Sequence, residues 1–131
     1  MSPDAAGDVA TARILVIDDD RRILKIIRSA LEEEGYVVEA AVDGQQGLER
    51  AIRTRPALIV LDLHLPVIDG AAVADGLRAL AGERPPIVLI TADDRPEEQA
   101  RRVGAYAYLR KPFELDDLVT VVQRGLNMGS G

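Results

Sequence analysis

Short apolar runs alternate with amphipathic segments along most of this chain. The runs are four to six residues long, as is typical of strands buried on both faces of a parallel sheet, and they cover residues 13–17, 36–41, 58–61, 87–90 and 106–109. Polar or turn-forming residues follow each run, and then a segment whose apolar residues recur with helical spacing. Five strands that alternate with five helices require crossover connections, so the pattern predicts an α/β fold with a parallel sheet.

The predicted helices differ in the strength of their apolar stripes. Residues 46–53 and 71–80 each carry one stripe, whereas the helix that follows Pro96 offers only Ala100 and Val103 as apolar anchors. We therefore expect this fourth helix to be short and the least stable. The first and last helices are the clearest, with apolar positions at Ile23, Ile27, Ala30 and Leu31 and at Leu115, Leu118, Val119, Val122 and Leu126.

Length and composition favour one globular domain and exclude several functional classes. We place the domain at residues 13–127, between a disordered leader at 1–12 and a frayed tail at 128–131. The absence of cysteine excludes disulfides and thiolate metal sites, and a formal charge of −6 argues against direct binding to nucleic acid. No apolar run could span a membrane and no signal peptide is evident, so we expect no membrane association and a cytoplasmic location.

Residues with useful chemistry stand where four of the predicted strands end. The central apolar run leads directly into Asp62, and the other three strand ends carry Asp18 and Asp19, Thr91, and Lys111. Ligands of open α/β sheets bind just beyond the carboxyl ends of the strands. We therefore expect these side chains to converge on one site.

The combination of these side chains predicts phosphoryl transfer. Clustered carboxylates repel one another unless a cation offsets their charge, and Mg²⁺ is commonly held by one or two carboxylates together with a phosphate group. Thr91 can donate a hydrogen bond to a phosphoryl oxygen, and Lys111 can pair either with that oxygen or with Asp62. Asp62 would then be the nucleophile that forms an acyl phosphate.

Each residue has a simpler explanation when it is considered alone. Acids that follow a strand often cap the next helix, a threonine can end a strand, and a loop lysine is usually solvated. The simpler explanation is weakest for Asp62, because an acid at the end of a fully apolar run is costly to bury unless it has a function. The joint occurrence of all these groups at strand ends favours a functional site.

Four motifs occur in a fixed order along the chain. They are ILVIDDD (14–20), LIVLDLHLPVIDG (58–70), PIVLITA (86–92) and YLRKPF (108–113). Over roughly residues 13–126 the chain resembles the receiver domains of two-component response regulators. The resemblance implies a flavodoxin-like, doubly wound fold with strand order 2-1-3-4-5. It also implies a signalling domain, not an enzyme with turnover, that accepts a phosphoryl group from a sensor histidine kinase or a histidine phosphotransfer protein.

The resemblance assigns a role to each acid of the predicted site. Asp62 corresponds to the phosphoacceptor of the family. Asp19 and Asp62 would ligate Mg²⁺ directly, together with the backbone carbonyl of His64, and Asp18 would act through a water molecule.

A conformational switch is implied as well. Thr91 and Lys111 would bind the phosphoryl group, and the inward movement of Thr91 would leave space that the ring of Tyr108 fills. The surface formed by the fourth helix, the fifth strand and the last helix would then change its affinity for a downstream protein, an attached output domain or a second copy of the chain. The peptide bond before Pro112 is expected to be cis, as is typical of the family.

Two polar positions depart from the commonest family pattern. His64 and Asp93 each lie two residues after a predicted site residue, Asp62 and Thr91 respectively. At these positions we expect them to influence the lifetime of the acyl phosphate, or His64 merely to line the rim of the site, and we do not expect the His64 side chain to ligate metal.

The fifth strand departs from the pattern of one branch of the family. Tyr106 and Ala107 stand where the transcription-factor branch commonly has two acids, which argues against a charge-paired dimer. Period-2 spacing predicts that Tyr106 and Tyr108 share one face of the strand. They would then form either an apolar patch for a partner or ordinary surface tyrosines.

Two other functional classes stay open at this point. Haloacid-dehalogenase-type phosphatases also use acids, a Thr or Ser and a Lys at strand ends, and in that case Asp18 would be the nucleophile. That interpretation leaves Asp62 unexplained and finds no cap domain. A pseudo-receiver that serves only as a docking scaffold is the third class, and the complete acid, threonine and lysine set argues against it.

Overall fold

A computed structural model describes residues 12–65, 67–79 and 84–130 of the chain, in which strands and helices alternate as predicted. The strands are β1 (Arg13–Ile17), β2 (Val37–Ala41), β3 (Leu58–Asp62), β4 (Ile87–Thr91) and β5 (Ala107–Arg110). The helices are α1 (Arg21–Glu33), α2 (Gly44–Thr54), α3 (Gly70–Arg78), α4 (Pro96–Val103) and α5 (Leu115–Ser130). Residues 1–11 of the predicted leader, and Leu80 at the end of the predicted third helix, lie outside the described residues.

The five strands form one parallel sheet in the order β2-β1-β3-β4-β5, which confirms the predicted flavodoxin-like topology. Every residue of β3 and β4 is buried, as expected for continuous apolar runs in a sheet covered on both faces. β3 is the middle strand, so its last residue, Asp62, lies at the middle of the carboxyl edge of the sheet.

Two apolar clusters, one on each face of the sheet, form the core. The first contains buried side chains of α1 and α5, among them Ile27, Leu31, Leu118 and Val122. The second contains buried side chains of α2, α3 and α4, among them Ala51, Val73, Leu77 and Val103. Each fully buried aliphatic side chain contributes roughly 1.5–3 kcal/mol to folding, so these clusters hold the strand ends in a fixed arrangement.

Aspartates begin three of the helices. Asp20, Asp43 and Asp69 accept hydrogen bonds from backbone N–H groups in the first turns of α1, α2 and α3. α4 has no such side-chain cap; it starts with Pro96 and ends at Val103, and Gly104, with a φ of 75°, is its C-cap. With 8 residues α4 is as short as its few apolar anchors predict.

The prediction that Tyr106 and Tyr108 share one face of the fifth strand is wrong. β5 begins at Ala107, so Tyr106 lies in the bend before the strand, where the alternation of a strand does not apply. Tyr106 packs against the cluster of α1 and α5, and its hydroxyl donates a hydrogen bond to the backbone carbonyl of Val121. Tyr108 packs on the opposite face of the sheet. The two rings therefore cannot form one patch.

Both ends of the domain also differ from the prediction. Ala12, which we assigned to the leader, is only 8% exposed, and its carbonyl accepts a hydrogen bond from the N–H of Val37. α5 continues to Ser130 through most of the predicted tail, because no proline interrupts its backbone hydrogen bonds after Leu126. None of the described helices is both long and apolar enough to cross a membrane.

Candidate functional site

The strand ends bring the predicted site residues to one edge of the sheet. Asp62 and Thr91 are the last residues of β3 and β4, and Asp18 directly follows β1. Lys111 directly follows β5, and its backbone N–H donates to the carbonyl of Thr91. The parallel register, with Ile17 opposite Leu61, sets these ends side by side.

Three carboxylates gather at this edge. One carboxylate oxygen from each of Asp18, Asp19 and Asp62 lies within 4.8 Å of the other two. Asp18 is 0% exposed and Asp62 is 3% exposed, whereas Asp19 is exposed to solvent. Asp20 has a different role, because its side chain caps α1. The capping explanation therefore holds for one acid of the triplet only. We refer to Asp18, Asp19, Asp62 and Lys111 as the acidic pocket.

Lys111 lies between the two buried carboxylates. Its Nζ is 3.3 Å from Oδ2 of Asp62 and 3.4 Å from Oδ2 of Asp18, and its side chain is 24% exposed. The other oxygen of each acid accepts a backbone hydrogen bond, from the N–H of His64 at 3.2 Å and from the N–H of Asp20 at 2.9 Å. The bond between Lys111 and Pro112 is cis, as predicted.

The pKa of Asp62 is raised to about 6, chiefly because burial disfavours its charged form and also because Asp18 repels it. The charge of Lys111 and the hydrogen bond from His64 act in the opposite direction. Burial lowers the pKa of Lys111, but the carboxylates of Asp62 and Asp18 outweigh that effect, so its net shift is upward. The ammonium therefore stays charged and holds Asp62 largely ionised near neutral pH.

The donor set of the pocket fits a divalent cation. One ammonium cannot neutralise three carboxylates, and Oδ2 of Asp18 is buried without a hydrogen bond from the described residues. Hard cations such as Mg²⁺ take oxygen ligands of this kind and keep several waters, which suits a pocket with one exposed acid. A role for the backbone carbonyl of His64 as a third ligand stays a prediction.

The predicted switch residues lie on neighbouring strands, Thr91 at the end of β4 and Tyr108 within β5. Thr91 is 0% exposed, and its hydroxyl accepts a hydrogen bond from the N–H of Asp93 at 3.0 Å. Tyr108 is directed toward α4, where its hydroxyl donates to Oε1 of Glu97 at 3.0 Å. Sequence analysis missed Glu97 as a contact of the switch. Its position in the first turn of α4 was visible, but the distance of that turn from β5 depends on tertiary packing.

Two polar residues at the rim of the pocket contact each other. Nε2 of His64 is 3.3 Å from Oδ2 of Asp93; the His64 side chain is largely exposed and that of Asp93 is partly exposed. Sequence analysis singled out both residues for their positions after Asp62 and Thr91. It did not predict that they pair, because 29 residues separate them in the chain.

Proteins of a known family are similar in sequence to this chain. The family model described as the response regulator receiver domain matches residues 14–123. The transcriptional regulatory protein PrrA of Mycobacterium leprae is 41% identical over 118 residues, which are 88% of this chain and 50% of that protein. The response regulator MprA of the same organism is 41% identical over 113 residues, 85% of this chain and 49% of that protein. The chain thus spans about half the length of these relatives.

Solved structures of similar proteins have the same fold. The chemotaxis response regulator CheY4 of Vibrio cholerae is 31% identical with a TM-score of 0.81, covering 88% of this chain and 98% of that one. The receiver domain of a sensor histidine kinase from Pseudomonas aeruginosa, with a magnesium ion coordinated in its active site cleft, is 32% identical with a TM-score of 0.82, covering 89% and 98%. The chain therefore belongs to the response regulator receiver domains of two-component signalling.

Proposed function

We propose that this receiver domain accepts a phosphoryl group on Asp62 from the phosphohistidine of a sensor histidine kinase or a histidine phosphotransfer protein. The observation that carries the proposal is a buried carboxylate at the carboxyl edge of the middle strand, 3.3 Å from a lysine and next to two further acids. Such a group is costly to bury, and perturbed acids of this kind cluster at functional sites. The protein would be a signalling domain that only assists its own phosphorylation and dephosphorylation.

The side chains of the pocket suit each stage of the transfer. A carboxylate oxygen of Asp62 would form a bond to phosphorus while the bond between phosphorus and the histidine nitrogen breaks, and the electron pair of that bond returns to the imidazole. Lys111 already lies beside Oδ2 of Asp62, so its ammonium would move only a short distance to a phosphoryl oxygen. The buried hydroxyl of Thr91 would donate a hydrogen bond to another phosphoryl oxygen.

Mg²⁺ would be held by Asp19, Asp62 and the backbone carbonyl of His64, with Asp18 acting through a water molecule. When bound, it supplies positive charge that offsets the phosphoryl oxygens and the clustered carboxylates. The buried Oδ2 of Asp18, which lies 3.4 Å from Nζ of Lys111 but accepts no hydrogen bond from the described residues, and the excess of acids over lysine support this assignment.

The proposed output is a change on the surface of α4, β5 and α5. Thr91 would give up its bond with the N–H of Asp93 to reach the phosphoryl group, and Tyr108 would leave Glu97 and turn inward. Each of these is a single neutral or exposed hydrogen bond, whose net contribution of about 0.5–1.5 kcal/mol is small, so a local charge event can shift this equilibrium. The surface would then bind a downstream protein, an attached output domain or a second copy of the chain.

Intact mass spectrometry after incubation with acetyl phosphate and Mg²⁺ tests the proposal. We expect one phosphoryl adduct on the wild type and on Asp20→Asn, a control in the same acidic triplet, and none on Asp62→Asn. An adduct that survives Asp62→Asn but disappears in Asp18→Asn would favour a phosphatase of the haloacid dehalogenase type. No adduct on any variant, with a cognate kinase as well as with acetyl phosphate, would favour a docking scaffold.

A further inference from the structure

A groove at the open edge of the sheet has no part in the proposed phosphoryl transfer. It has a volume of about 410 Å³ and lies between α1, the edge strand β2 and α2. Its lining combines apolar side chains with a cationic rim. The apolar residues are Leu24, Ala40 and Val42, the cationic ones are Arg21, Lys25, Arg28 and Arg50, and Gln46 completes the lining. Four cations around one groove stand out in a chain whose formal charge is −6.

Three of these cations form a row along α1. Arg21, Lys25 and Arg28 are separated by four and three residues, so they share one face of the helix and extend over roughly 10 Å of its axis. All three are exposed. Among the described residues, the only ion pair in this row joins Arg28 to Glu32 within α1, at 3.3 Å. The row therefore keeps excess positive charge.

Arg50 contributes a fourth cation from the opposite side of the groove. Its Nε is buried, and no acceptor among the described residues accepts a hydrogen bond from it. A buried donor of a charged group without an acceptor costs on the order of 1–3 kcal/mol. An acidic ligand in the groove would supply the missing acceptor.

The backbone at the edge of the sheet is also available. Val37 and Ala41 direct their backbone groups toward the side of β1, since the N–H of Val37 donates to Ala12 and the carbonyl of Ala41 accepts from Asp18, the residues that flank β1. Alternate residues of a parallel strand bond to opposite sides, so the backbone groups of Ala40 point away from β1 into the groove. The next outward N–H, that of Val42, donates to the side chain of Gln46.

From these features we propose that the groove binds an acidic segment of a partner protein in an extended conformation, added as a strand beside β2. Alternate residues of a strand lie about 6.6 Å apart, which matches the rise of about 6 Å between Arg21 and Lys25 on α1. Carboxylates at alternate positions would thus meet the row of cations, while the peptide backbone pairs with Ala40. A single compact anion such as inorganic phosphate cannot contact cations spread over about 10 Å.

Fluorescence anisotropy with a labelled synthetic decapeptide of alternating Glu and Val tests the charge contacts. We expect saturable binding to the wild type and binding at least about tenfold weaker to the double variant Lys25→Glu, Arg28→Glu. The matched control is Arg101→Glu, Arg102→Glu, which changes the same charge at exposed positions of α4. Equal loss in both double variants would show a nonspecific effect of net charge and overturn the proposal.

A second pair of measurements tests the backbone contacts. The same decapeptide methylated on alternate backbone nitrogens keeps its charge but loses the donors of one edge, and we expect it to bind at least about tenfold more weakly. We also expect the amide resonance of Ala40 to shift on titration with the unmodified peptide. Unchanged binding of the methylated peptide, or displacement of the peptide by equimolar ATP, would identify a general polyanion site and overturn the proposal.

The groove is tested separately from the proposed phosphorylation. Lys25 and Arg28 lie outside the acidic pocket, so their double variant should form the acetyl phosphate adduct on Asp62 as the wild type does. Adduct formation without peptide binding by the wild type would overturn the groove proposal alone. Peptide binding without an adduct would leave the groove proposal standing and overturn the phosphoacceptor.

Discussion

In the acidic pocket, Asp18 and Asp62 are almost fully buried and Lys111 lies between them. By contrast, the contact of Tyr108 with Glu97 is exposed; it lies on the side of β5 that faces α4, here called the outer side. The pocket is fixed by the ends of buried strands, so its groups cannot move apart to relieve their repulsion. The outer side relies on α4, a helix of 8 residues without a side-chain cap. A rigid region suits a site whose charged groups must keep fixed positions, and a weakly held region suits a surface that must change its conformation.

Among the variants of these two regions, we expect removal of the cation in the acidic pocket to have the largest effect. Lys111→Met leaves Asp62 and Asp18 without a counter-charge and removes a donor to the phosphoryl group. We expect phosphorylation by acetyl phosphate with Mg²⁺ to slow by roughly 100-fold, as measured by the rate of adduct formation. The control is Arg110→Met, which removes the neighbouring cation and its outward pair with Asp94. Equal rates in both variants would contradict the role of Lys111.

Removal of the buried charge should stabilise the pocket. Because the pKa of Asp62 rises from 3.8 to about 6 on folding, its ionisation opposes folding above that pH. We expect Asp62→Asn to raise the free energy of unfolding by about 2 kcal/mol at pH 7 without metal, as measured in urea. The gain should shrink as pH falls through 6 and vanish below about pH 4, where Asp62 is protonated in both states.

The surface variant Asp75→Asn is the control for this measurement, because the Asp75 side chain is exposed and, within the described part of the chain, forms an ion pair only with Arg78 on the same helix. We expect its effect on the free energy of unfolding to stay below about 1 kcal/mol at every pH. A stability gain in Asp62→Asn that persists unchanged at pH 3 would mean that the buried charge of Asp62 is not its cause.

On the outer side of β5, removal of one contact should have a local effect. The hydrogen bond to Glu97 is the largest cause of the raised pKa of Tyr108. We therefore expect Glu97→Ala to lower that pKa, as measured by NMR titration of the Tyr108 ring, and to change the free energy of unfolding by less than about 0.5 kcal/mol. Glu98→Ala, at the adjacent position of α4, should leave the titration unchanged. An equal shift of the Tyr108 pKa in both variants would indicate a general electrostatic effect of removing a negative charge from α4.

We expect the smallest effect at the rim of the acidic pocket, where His64 contacts Asp93. The contact between His64 and Asp93 joins the loops that follow Asp62 and Thr91, so its loss should admit water more readily to the acyl phosphate. We expect His64→Ala and Asp93→Ala to shorten the lifetime of the adduct by a few fold, as measured by its decay after removal of acetyl phosphate. Unchanged decay in both variants would rule out this role.

Much of the fold follows from local patterns in the sequence. The runs that became β3 and β4 are continuously apolar because both faces of a central parallel strand are buried, and that signal does not depend on distant residues. The short α4 is likewise visible from its few apolar anchors. The fifth strand was misjudged at its start: β5 begins at Ala107, and although the N–H of Tyr106 still bonds to Ile87 of β4, packing against α1 and α5 places its ring on the other face.

The sequence by itself determined the strand-end chemistry: Asp18, Asp62, Thr91 and Lys111 each follow or end an apolar run, and topology then requires that such ends meet at one edge. Only the tertiary structure decided which groups come into contact there. The pairings of Lys111 with both acids, of Tyr108 with Glu97 and of His64 with Asp93 join residues that are distant in the chain or on different elements. Such contacts depend on distances of a few ångströms between packed elements, and a linear pattern of apolar and polar residues does not encode them locally.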